Sequence, residues 1–93
     1  MWKYALITSV DTQVCNVPCR VKKIVLYYAG TTTALIYNEV KSDGLTAAKR
    51  VWTLTSSATI PKDEIDFGIE GAFFHEGCYI DWTAGEVLVV FKL

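Results

Sequence analysis

Turn-forming residues punctuate this chain at intervals of about 8 to 12 residues, and the short runs between them alternate apolar and polar side chains. That rhythm suits strands and leaves little room for helices of ordinary length. The vocabulary agrees, because ten valines, seven isoleucines, ten threonines and twelve aromatic residues favour a pleated surface. Alternation predicts a first strand in which Trp2, Tyr4 and Leu6 share one face and Lys3, Ala5 and Ile7 the other. QVCNV ends at Pro18, which cannot donate to a ladder. RVKKIVLYYA reads as a long strand whose adjacent charges Lys22 and Lys23 break the alternation and predict a bulge or an edge. A turn at Gly30 and Thr31 leads to ALIYNEV, which the Asp43-Gly44 turn closes.

The window LTAAKRVW is compatible with a short helix, but the β-branched run that follows predicts a strand over Lys49 to Thr55. Next come a short strand over Ala58 to Ile60, Pro61, an acidic link Lys62-Asp63-Glu64, and the strands IDFGI, AFF, CYIDWT and EVLVVFKL. The expected fold is all-β: a small Greek-key β-sandwich or jelly roll of about eight short antiparallel strands. With 93 residues and neither linker nor repeat, residues 1–93 form a single β-sandwich domain.

The last strand is apolar on both faces. Val87, Leu88, Val89, Val90 and Phe91 follow one another with no polar residue between them, whereas a half-buried strand alternates. The residues AVILMFWYC make up 52% of the chain, against about 45–50% usually even with glycine counted, in a domain too small to bury them all alone. The expectation is that Val87, Val89, Phe91 and Leu93 face the interior. Leu88 and Val90 are then the subunit interface, covered by a neighbouring copy.

Nine basic against ten acidic residues give a net charge of −1, with no basic arm or stripe, so no nucleic-acid partner is expected. The apolar runs fall far short of the ~20 residues of a membrane helix, and the N-terminus lacks a cleavable apolar leader. A soluble chain with no membrane partner and no export signal of its own is the expectation.

Three cysteines leave at least one thiol free or paired between chains. Cys15 and Cys19 with His75 and Cys78 have the residue types of a zinc site, and a Cys15–Cys19 disulfide is conceivable, but the spacing matches no strong zinc signature. Core or surface thiols are the plainer assignment, so no metal and no cofactor is expected. His75 and Cys78 lack a third residue to orient a nucleophilic pair, and no phosphate loop or hydrolase motif occurs, so the chain is not expected to be an enzyme. Asp63, Glu64 and Asp66 beside Lys62 read as a solvated link rather than a calcium or glycosidase site. Trp2, Trp52 and Trp82 with Tyr27, Tyr28 and Tyr79 could stack on sugars, the basis of an alternative lectin-like reading; core packing and a subunit interface use the same residues.

PCRVKKIVLYY and GCYIDWTAGEVLVVFKL resemble the small β-sandwich proteins of tailed-phage virions, in particular capsid decoration or cement proteins and head-fibre domains. These share a proline-flanked early strand and a closing hairpin of the form G-x-Y-(I/V)-D-x-T-x-G-x-V-x-V, matched here by Gly77, Tyr79, Ile80, Asp81, Thr83, Gly85, Val87 and Val89. The resemblance covers roughly residues 14–93. It implies a non-enzymatic virion structural protein, typically a homotrimer, that binds the major capsid protein and stabilises the head. The corresponding place is the capsid exterior, after assembly in the host cytoplasm. A tail or baseplate component would have the same fold with another partner. Cys15, Cys19 and Cys78 belong to no pattern of that family.

Overall fold

A computed structural model describes residues 2–8, 12–27, 31–40, 47–82 and 84–93. Among the described residues there are nine strands: β1 (Lys3–Ile7), β2 (Thr12–Cys15), β3 (Cys19–Tyr27), β4 (Thr32–Tyr37), β5 (Arg50–Ser56), β6 (Lys62–Asp66), β7 (Ala72–Phe74), β8 (Cys78–Asp81) and β9 (Glu86–Lys92). The only helical piece among the described residues is one 3-10 turn, Ala47–Lys49, directly before β5. The ambiguous window therefore holds both a helical turn and a strand. The expected turns at Gly30 and at Asp43-Gly44 lie outside the described residues, as do Tyr28 and Thr83.

All pairings among the described strands are antiparallel. One sheet runs β1-β9-β3-β6 with β7 also on β3, and the other runs β2-β8-β4-β5. Strands β6 and β7 lie on the same side of β3, β6 against Lys23 to Tyr27 and β7 against Cys19 to Val21. They fill one strand position in two pieces. With that position counted once, first pairs with last, second with second-last, third with third-last, and the middle two form a hairpin. Such nesting is the wrapping of a jelly roll, with eight positions from nine strands.

The core follows from alternation. Val87 and Val89 of β9, Ile24 and Leu26 of β3, Ala34 and Ile36 of β4, Leu54 of β5 and Ile80 of β8 are completely buried between the sheets. Trp82 joins them, and its indole Nε1–H donates to the Gly85 carbonyl at 3.1 Å, so its polar atom is satisfied. Phe67 and Phe74 pack edge to face with centroids 6.1 Å apart. At the second sheet's edge, the Gln13 amide Nε2 lies 2.8 Å from the Cys15 carbonyl, 2.9 Å from that of Cys78 and 3.2 Å from that of Glu39. One side chain thus ties β2, β8 and the segment after β4 together where the β2–β8 register shifts.

The Lys22-Lys23 irregularity is a bulge. The β3–β9 register shifts between Val21 and Lys23, leaving Lys22 as the extra residue, and the Lys22 carbonyl accepts from Phe67 N–H at 2.8 Å. On one side of the bulge Val21 points inward and Arg20 outward; on the other, Ile24 points inward and Lys23 outward. Alternation resumes with its phase corrected.

Three expectations are overturned. Ala58 to Ile60 is no strand but part of a tight turn, in which Ser57 N–H donates to the Ile60 carbonyl at 2.8 Å and Ile60 N–H to the Ser57 carbonyl at 3.1 Å. Lys62-Asp63-Glu64 is no solvated link but the start of β6, whose alternate residues find room at the rim of the sandwich; Asp63 accepts from Thr55 N–H at 3.0 Å and bridges the two sheets. Leu93 is exposed, because β9 ends at Lys92, beyond the reach of the core.

Two substitutions check this packing. Gly71 has φ +74°, and an added Cβ would lie 2.8 Å from the Val21 carbonyl oxygen and 2.9 Å from Trp2 Cη2. Gly71→Ala should therefore lower unfolding stability by about 1–3 kcal/mol in urea titrations. Ser56 Oγ is fully buried with no hydrogen-bond partner among the described residues, so Ser56→Ala should raise stability by about 1 kcal/mol in the same assay.

Candidate functional site

Strand β9 is apolar on both faces because it is a central strand. It lies between β1 and β3, so neither of its edges is free. Its inner face, Val87 and Val89, is core. On the outer face Leu88 stands between Leu6 and Val25, and Val90 between Tyr4 and Lys23, in the cross-strand register. Val25 and Val90 are 3% and 5% exposed although neither belongs to the core cluster; same-face neighbours cover them. Leu88 is half-buried.

Toward β1 the cover thins. Tyr4 is 74% exposed and Leu6 57% exposed, and both continue the Leu88–Val90 surface to the open edge of the sheet. On the opposite side the surface is rimmed by charge, with Lys23 Nζ 2.9 Å from Glu64 Oε2 and Lys62 Nζ 3.9 Å from Glu64 Oε1. The hydrogen bond between Lys23 and Glu64 lifts the lysine above its ordinary 10.5 and lowers the carboxyl below its ordinary 4.5. Both partners are solvated, so the pair adds little to stability and marks where the apolar surface ends. Tyr4 and Leu6 share a face in the period-two reading of the first strand. What puts them beside Leu88 and Val90 is the β1–β9 pairing, which spans more than eighty residues and leaves no local signal.

The other candidates separate in space. Cys15 and Cys19 are joined in a disulfide across the β2–β3 connection. Cys78 is buried and free, and burial pushes its thiol up to about 12. His75 is exposed, its Nδ1 3.2 Å from Asn38 Nδ2, and among the described residues no three His, Cys, Asp or Glu side chains gather as a metal site. Asn38 Oδ1 accepts from Glu76 N–H, and Glu76 pairs with Lys49 at 2.7 Å, so His75 sits in a web that ties one connection to another. Among the described residues, the aromatic side chains do not form one platform. Trp82 and Tyr79 are buried, Trp52 stands exposed on β5 in the second sheet, and Trp2 and Tyr27 belong to the first.

No helix among the described residues is long and apolar enough to cross a membrane. No protein-family model, no curated protein and no solved structure matches the chain.

The placement of Cys78 is testable with a thiol reagent. Only the thiolate reacts, and a buried thiol titrating near 12 is nearly all protonated at neutral pH. Iodoacetamide should therefore alkylate Cys78 at the rate of unfolding in native buffer and promptly in denaturant. Prompt modification of native protein, located by mass spectrometry, would contradict the structure.

Proposed function

We propose that this chain is a non-enzymatic structural protein of a tailed-phage virion, a capsid decoration protein that self-associates through the outer face of its first sheet and reinforces the head from outside. The observation that carries the reading is the apolar surface of Tyr4, Leu6, Leu88 and Val90, which runs out to the open β1 edge. Covering the exposed part of Leu6 contributes a fraction of the about 1.5–3 kcal/mol that full burial of a leucine is worth, and Tyr4 adds its own apolar area, before the entropy of association is subtracted. Left bare, that face beside an open edge would template aggregation.

Two further features support the virion reading. A jelly roll is an architecture that viral shells use repeatedly, though lectins and other proteins share it. The closing hairpin resembles that of decoration proteins, and the resemblance implies a homotrimer on the major capsid protein. The lectin alternative has no comparable support, since the exposed rings are scattered over both sheets.

Light scattering on purified protein tests association, and sedimentation with phage capsids tests the partner. The chain should be oligomeric at micromolar concentration. Leu6→Asp, at a position already exposed in the single chain, should shift it toward monomer with the far-ultraviolet circular dichroism of the fold unchanged and the melting temperature lowered only by the lost association, and Leu88→Asp should do the same with a further modest loss of stability. A stable monomeric wild type would overturn the proposal.

A further inference from the structure

Beyond the bulge, the outer face of the same sheet changes character. Phe73 of β7 lies opposite Arg20 of β3, and Arg20 opposite Lys92 of β9. Trp2, ahead of β1, lays its ring back across the sheet, its Cη2 2.9 Å from where a Cβ on Gly71 would stand, with the Lys92 ammonium 4.7 Å from its ring centroid. Lys22, the bulged residue, approaches the same ring at 5.7 Å, and the Arg20 guanidinium lies 5.5 Å from the Phe73 centroid. The backbone register forms a row, but the Trp2 ring folds back over it toward β7, so two rings and three cations gather in one compact patch.

This row is costly for a fold to keep without a use. Like charges directly opposite one another on a sheet repel, and Arg20 and Lys92 are such a pair. The ion pairs among the described residues join Lys23 and Lys62 to Glu64 and Lys49 to Glu76; none reaches Arg20, Lys22 or Lys92. Cation–π contacts offset part of the repulsion and hold the cations in place without neutralising them. Positive charge therefore collects on one patch of a chain whose net charge is −1.

We propose that the row Trp2, Lys92, Arg20 and Phe73, with Lys22, is a docking site for a short acidic segment of a protein partner. Charge complementarity sets the sign of the occupant. A nucleic-acid strand fits less well, because the same face carries Glu64 and Asp66 just past the bulge, where a continuing phosphate backbone would be repelled. The site is separate from the apolar half of the face and stands whatever the chain's oligomeric state.

Fluorescence anisotropy of a labelled hexaglutamate peptide with the full chain tests the proposal, alongside labelled hexathymidylate. Hexaglutamate should bind and should be released as salt rises from about 50 mM to about 0.5 M. Arg20→Glu and Lys92→Glu should each weaken binding by about tenfold or more, whereas Arg50→Glu on the second sheet should leave it unchanged. Nuclear magnetic resonance shifts on the unaltered chain should centre on the Trp2 indole and the Arg20 side chain, a readout that needs no variant to fold. Absence of binding at low salt, equal loss in Arg50→Glu, shifts centred elsewhere, or tighter binding of hexathymidylate would each overturn it.

Discussion

The pairing of β3 with β9 is the interaction on which the rest of the structure depends. It joins residues Arg20–Tyr27 to Glu86–Lys92, and every other strand of the first sheet is attached to one member of that pair. A strand in that position has a core on one side and sheet neighbours on both edges, so its outer residues are shielded by flanking side chains as well as by anything that docks there. That is why Val90 is buried within a single chain. The same pairing brings the end of the chain back to its beginning, since β9 also carries β1. Such non-local closure makes folding slow for its size, because the loop entropy is lost before the contacts repay it.

The bulge at Lys22 divides the outer face of this sheet into two chemistries. On the far side of it, Val25, Leu88, Val90, Tyr4 and Leu6 make an apolar surface rimmed by the Lys23–Glu64 pair. On the near side, Arg20, Lys92 and Lys22 stand among Trp2 and Phe73. The bulge also matches the break between β6 and β7, where the Phe67 amide takes the Lys22 carbonyl and the partner strand restarts five residues later at Ala72. One extra residue thus serves the core by resetting the inward phase, and sorts the surface by placing a lysine over the Trp2 ring.

Much of the fold was legible from local pattern. Strand type, the end of β2 before Pro18, the bulge between the two lysines, and the two faces of β1 all follow from alternation and from single residues with fixed conformational demands. Local pattern misled where a tertiary neighbour changed what a segment was worth. The charged stretch Lys62 to Asp66 looks like a link until β3 offers it a ladder, and Ala58 to Ile60 looks like a strand until the chain must turn the corner between sheets. The candidate surface was half legible: Leu88 and Val90 stood out as apolar residues without an obvious cover, but their neighbours Tyr4 and Leu6 come from the other end of the chain.

By itself, the order of amino acids determined that this chain is an all-β domain with an apolar final strand, because side-chain period and turn chemistry act between residues a few positions apart. Tertiary structure alone decided which strands became neighbours, that the final strand is central, and that Arg20, Lys22 and Lys92 meet two aromatic rings on one face. The physical reason is that strand pairing joins backbone groups that every residue but proline carries alike, so partners are chosen by how all the strands wrap one core together, and no short segment encodes that choice.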